Sequence, residues 1–182
     1  MDDPGPAIQL AAAAEVSTDP LSIILKVLLL FVLIIVNAFF AMSEIAIISL
    51  NDNKMQKLAE EGNKKAKQIV KLTENSSRFL STIQIGVTLA GFLTSASASQ
   101  NFADMLTNAL SKTAIVNFIP LSVIDIASVI VITILTSYFS LVLGELLPKR
   151  IAMHNPESIS FRVVGILLFF KAIMRPIVAL LS

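Results

Sequence analysis

A carboxylate, a proline and two cations stand together in Gly144-Glu145-Leu146-Leu147-Pro148-Lys149-Arg150, at the end of an apolar run from Leu121 to Leu143. A proline has no N–H for the carbonyl four residues back, and it biases the preceding residue away from helical torsions. The spacing therefore predicts freed backbone carbonyls beside Glu145. Carboxylate and carbonyl oxygens are what a hard cation such as Mg²⁺ or Ca²⁺ needs. An ionisable group at the end of a membrane helix is by default a functional one. The competing reading is an interfacial carboxylate paired with Lys149, one turn on.

Other polar residues interrupt apolar stretches at regular intervals. Asn37, Ser43 and Glu44 break the second half of Leu21–Leu50. Ser43 lies about 10 Å inside the end of such a helix, at ~1.5 Å per residue. Adjacent residues do not share a helix face. If Ser43 faces an ion, Glu44 either pairs with a cation or reaches a cytoplasmic cavity. Gln84, Thr88, Gly91 and Ser95 recur on one helical face, as do Thr133, Ser137, Ser140 and Gly144, the latter row leading to Glu145. Such stripes serve close helix packing or supply ligands; Gly86 adds a further point of close approach.

The elements that must position these residues are membrane helices. Of 182 residues, 55% are hydrophobic and 15% charged, with a mean hydropathy of +0.80; soluble domains carry nearer a quarter charged residues. The expected fold is an all-α membrane protein with three spans, at about 21–50, 79–98 and 121–143, each reaching or exceeding the roughly 20 residues needed to cross. Residues 1–20 hold four acids and no base, which predicts an extracytoplasmic tail rather than a secretory signal. Residues 51–78 are basic and amphipathic around Gly62, so they read as cytoplasmic helices, resting on anionic lipid or binding a regulatory partner. Residues 100–120 form the outer connection, with a short helix near Phe102–Leu110. Asp125, near the outer end of the third span, reads as solvated or capping.

Asn155 and Pro156 mark a helix start. The segment 155–182 reads as a juxtamembrane helix on the cytoplasmic side, because Lys171 at mid-bilayer would cost about 2.5–3.5 kcal/mol; a fourth span is the alternative. With no cysteine and a single histidine, His154, thiolate and His-rich zinc sites are excluded. A net charge of +1 gives no case for nucleic-acid binding. No nucleophile–base pair points to an enzyme.

Three pieces, Asn37-Ala38-Phe39-Phe40-Ala41-Met42-Ser43-Glu44, Ile83-Gln84-Ile85-Gly86-Val87-Thr88-Leu89-Ala90-Gly91 and Gly144-Glu145-Leu146-Leu147-Pro148-Lys149, resemble in order and spacing the transmembrane domain of the CorC/cyclin-M (CNNM) magnesium transporters. The resemblance covers about Leu21 to Ser182. It implies a homodimer in the plasma (inner) membrane, a cytoplasm-side belt of helices and an acidic cavity open to the cytoplasm. It also implies a nucleotide-binding CBS-domain pair beyond Ser182, where ATP would bind. Carried over by position, Mg²⁺ ligands are Ser43, Ser95 and Glu145. Where many members have asparagines in the second span this chain has Val87 and Gly91, so Thr88, backbone carbonyls or water complete the set at Gly91. Asn37, Glu44, Gly86, Gly144, Pro148 and Lys149 then line or hinge the cavity. Lys149 and Arg150 read most simply as inside-positive anchors, with stabilisation of the metal-free cavity as the alternative for Lys149. The expected activity is Mg²⁺ efflux by alternating access, with Na⁺ as the plausible coupling ion. A Mg²⁺-sensing module that regulates the CBS domains or another transporter is the alternative, and a lytic factor a weaker one.

Overall fold

The computed structural model describes residues 20–181 of the protein, with side chains for all of these except 99–100 and 175–181. The expected N-terminal tail therefore lies outside the described residues, apart from Pro20. The described residues form helices joined by short turns, without strands. We label the α-helices α1 (Pro20–Ile48), α2 (Asp52–Glu60), α3 (Lys64–Thr73), α4 (Ser76–Ser111), α5 (Leu121–Leu141), α6 (Leu147–His154) and α7 (Pro156–Leu181). A 3₁₀ turn, Ala114–Asn117, precedes α5, and a π-helical turn, Val142–Leu146, joins α5 to α6.

Three helical stretches are long and apolar enough to cross a membrane: Pro20–Ile48, Ser76–Ser111 and Leu121–His154. Leu25, Leu28, Phe31 and Ile35 of α1, and Ile130, Ile134 and Tyr138 of α5, are exposed on the chain's surface. Rows of bare apolar side chains on this scale call for hydrocarbon rather than water as solvent.

Two boundaries differ from the sequence reading. The helix from Ser76 does not end near residue 98 but continues through the expected outer connection to Ser111. No glycine or proline interrupts the chain between Gly91 and Ser111, and the Asn101 amide bonds inside the helix, donating to Ser97 O at 2.7 Å. The third helical stretch likewise runs past Pro148 to His154.

The chain divides into two compact units. The first holds the described residues up to Val32 with Ser95–Thr136. Here α4 and α5 meet through Thr107, whose hydroxyl donates to Asp125 Oδ1 at 3.2 Å; Asp125 is exposed. Ala98, Ala103, Ile124 and Ser128 are buried.

The second unit, Leu33–Thr94 with Ser137–Ser182, holds the acid–proline motif. Its core is built from Phe40 and Ile47 of α1, Met55 of α2, Ile69 and Leu72 of α3, Phe79 and Ile83 of α4, and Val163, Val164 and Leu167 of α7. Asparagine caps start the two short helices: Asn51 Oδ1 accepts from Lys54 N and Asn63 Oδ1 from Lys65 N and Ala66 N. Between them the chain reverses at Gly62, whose φ of +97° suits a residue without Cβ.

The apolar sides of α2 and α3 face this core. Met55, Ala66, Ile69 and Leu72 are buried against protein, so their apolar sides are not available to rest on lipid. Lysines on both sides tie α7 to this layer: Lys54 pairs with Glu157, Lys65 Nζ donates to Phe161 O at 2.6 Å, and from α7 itself Lys171 Nζ donates to Leu72 O at 3.3 Å. Lys171 thus ends on a carbonyl of the basic segment. At the start of α7, Asn155 Oδ1 accepts from Ser158 N at 3.4 Å.

Candidate cation site

Pro148 is accommodated without breaking the helix. Leu147, which precedes it, has φ −65° and ψ −48°, and Leu146 has φ −65° and ψ −49°, both helical. The missing N–H is absorbed by one wide turn, in which Leu147 N donates to Val142 O five residues back. The expected helix break is therefore replaced by a π turn with Glu145 inside it. Such turns loosen the usual ladder and are frequent at functional sites. The local effect remains the one the proline dictates: it supplies no donor to the carbonyls a turn behind it.

Gly144 lets α1 approach this turn. A Cβ built on Gly144 would lie 2.8 Å from Asn37 Nδ2. Asn37 is 5% exposed, and its Oδ1 is buried without a hydrogen-bond partner among the described residues. An unmet buried amide oxygen is costly, so a donor or a cation beside it would be stabilising. The sequence reading named both residues; their contact lay beyond it, because nothing local encodes which depths of two spans coincide.

One helical turn beyond Glu145, the Lys149 ammonium donates to Glu145 Oε1 at 2.7 Å and sits 3.5 Å from Glu44 Oε2. All three side chains are roughly one-quarter to one-third exposed. Glu44 thus has a cation partner from another helix. The pairing of Glu145 with Lys149 is present as well, but inside a three-member cluster that spans two helices. The arrangement presents two carboxylates to one positive charge.

Ser43 is fully buried, and its hydroxyl donates to Phe39 O at 2.6 Å within α1. That bond uses its proton and leaves the oxygen able to accept or ligate. In the second span, Gly86 is buried beneath the Phe40 ring. Gln84 and Thr88 point outward, lining a groove of about 570 Å³ with Leu80, Ile85, Leu89 and Phe92. Around a Cβ on Gly91 there is nothing within 4 Å. Ser95 belongs to the other unit, where it is half-buried. Among the described residues no group of three or more His, Cys, Asp and Glu side chains could hold a metal ion. A metal at Glu145 would accordingly be completed by neutral oxygens or water. His154 and Arg150 are exposed at a separate surface hollow.

With helices and no strands among the described residues, three spanning stretches and a half-buried acid–ammonium cluster at the end of the third, this is a multi-pass membrane domain. Residues 28–182 match the description of the cyclin M transmembrane N-terminal domain, and the chain belongs to this CNNM family. It is 39% identical over 164 residues to a UPF0053 protein of Synechocystis, covering 88% of this chain and 35% of that one. A UPF0053 protein of Bacillus subtilis is 31% identical over 159 residues, covering 87% and 35%. A polyamine export protein of Haemophilus influenzae is 31% identical over 156 residues, covering 84% and 34%. The chain thus spans about a third of the length of these relatives.

Proposed function

We propose that this domain carries a cation across the plasma membrane, with Mg²⁺ as the first candidate and efflux as the direction. The observation that carries the reading is the pair of half-buried carboxylates, Glu44 and Glu145, at a π turn whose neighbour Asn37 holds an unmet buried amide oxygen. Mg²⁺ sheds water reluctantly and takes octahedral oxygen ligands. Glu145 supplies charge; Ser43, water and the carbonyls near Pro148 supply neutral oxygens; the wide turn is where ligands can be offered and withdrawn. The N-terminus lies outside and the basic helices α2 and α3 inside, with α7 as a cytoplasmic belt. Two copies act together, the outward groove with Gln84 and Thr88 being suited to a second chain, and CBS domains follow in the full-length protein.

A second reading is an organic ammonium as cargo. Relatives from Haemophilus influenzae and Salmonella typhimurium carry the name polyamine export protein, and Glu44 and Glu145 are already satisfied by a primary ammonium, that of Lys149. The full chain in liposomes, assayed separately for Mg²⁺ and for a labelled linear diamine, decides. Movement of Mg²⁺ alone supports the first reading and movement of the diamine alone the second. Mg²⁺ binding without flux of either, in the full-length protein with its further domains, favours a sensing role. Within the first reading, Ser43→Ala is expected to weaken Mg²⁺ binding while changing stability by less than about 1 kcal/mol, because the bond it deletes lies within one helix. Binding titrations alongside thermal unfolding in detergent check this, and unchanged affinity would remove Ser43 from the ligand set.

A further inference from the structure

Resting on the cation-site reading, we propose that Lys149 is the resting occupant of the Glu44–Glu145 pair, a tethered ammonium that an incoming cation must displace. Glu145 alone would make Lys149 an ordinary pair one turn apart on a helix, worth little. Glu44 changes this, because it comes from α1 and turns its carboxylate to the same ammonium, 3.5 Å away. Two half-buried carboxylates facing one space repel each other when no cation lies between them. Lys149 supplies that cation without any ligand being bound. Its four-carbon stem is flexible and its ammonium is a compact point charge, so it can leave by rotating its own side chain.

A tethered competitor also sets specificity. A monovalent ion gains no more from the two carboxylates than the ammonium already there. A divalent cation, or a chain bearing several ammonium groups, gains more. The lysine therefore acts as a threshold that admits multiply charged cargo, and it protects the pair from mutual repulsion between cargo events.

Mg²⁺ titrations of the full chain in nanodiscs test this in wild type, Lys149→Met, Lys149→Arg and Glu145→Gln. If the ammonium holds the pair about nine-tenths of the time, its removal tightens apparent Mg²⁺ affinity about tenfold. Lys149→Met should show that gain, and Lys149→Arg, which keeps a competing cation, should stay close to wild type. A second measurement needs no lysine variant: amine methylation of Lys149, read by mass spectrometry, should rise several-fold when Mg²⁺ is added to wild type. It should not rise in Glu145→Gln. Unchanged or weaker Mg²⁺ affinity in Lys149→Met, or Lys149 reactivity indifferent to Mg²⁺, overturns the displacement while leaving the site intact, provided wild type binds Mg²⁺ and Glu145→Gln does not. Absence of Mg²⁺ binding by wild type overturns both.

Discussion

Glu145→Gln is expected to weaken Mg²⁺ binding by at least about a hundredfold, roughly 2.7 kcal/mol, and to stop transport. The substitution keeps the side chain's shape and one oxygen but removes the charge that compensates Mg²⁺ for its lost water. Folding should survive it. The glutamine oxygen still accepts from Lys149 Nζ, now 2.7 Å from Glu145 Oε1, and Glu44 remains beside the ammonium. At about one-third exposure the lost ion pair should cost no more than about 1 kcal/mol. Binding titrations and thermal unfolding on the same preparation separate the effects. Lost binding with an intact unfolding transition is the expected pattern; intact binding would detach Glu145 from the cation.

Gly86→Ala is expected to destabilise the second unit, whereas Gly91→Ala, five residues on, should not. In water, alanine stabilises a helix interior by about 1 kcal/mol over glycine. At Gly86 the added Cβ would lie 2.9 Å from Cδ1 and Cε1 of Phe40. The Phe40 ring has little freedom to yield: it is 7% exposed and packs on Phe170 at a centroid distance of 4.5 Å. Overpacking of this kind costs about 1–3 kcal/mol, enough to reverse the propensity gain. Around a Cβ on Gly91 there is open space, so only the gain remains. Thermal unfolding of both variants in one detergent gives the contrast. Phe40→Leu combined with Gly86→Ala should recover part of the loss, since the two positions share one contact.

Much of this molecule could be read from local signals. Apolar stretches located the spans, and Gly62 fell at the turn between the two amphipathic helices of the basic segment, whereas the asparagine caps that start α2 and α3 emerged only with the structure. Glu145 stood out because so few ionisable residues interrupt the apolar stretches. What escaped was set by packing between distant segments. The proline rule was correct about the missing donor and misleading about its outcome, because a π turn absorbs the defect and keeps Leu147 helical. The amphipathic helices α2 and α3 resembled lipid-surface helices, but Met55, Ile69 and Leu72 join one core in which α2 packs on α3 and α3 on α7, with Lys54, Lys65 and Lys171 bridging to α7. Likewise, no spacing along the chain reveals that Asn37 meets Gly144, or that Glu44 and Glu145 share one ammonium.

The most direct test is to determine the structure of the full chain in bilayer-like surroundings with Mn²⁺ replacing Mg²⁺, and to locate the metal by its anomalous signal. A peak within about 2.1–2.2 Å of a Glu145 carboxylate oxygen, with the Lys149 ammonium swung away, is the expected result. A peak elsewhere, with Glu145 still closed on Lys149, would contradict the assignment of this acid as the cation's principal ligand.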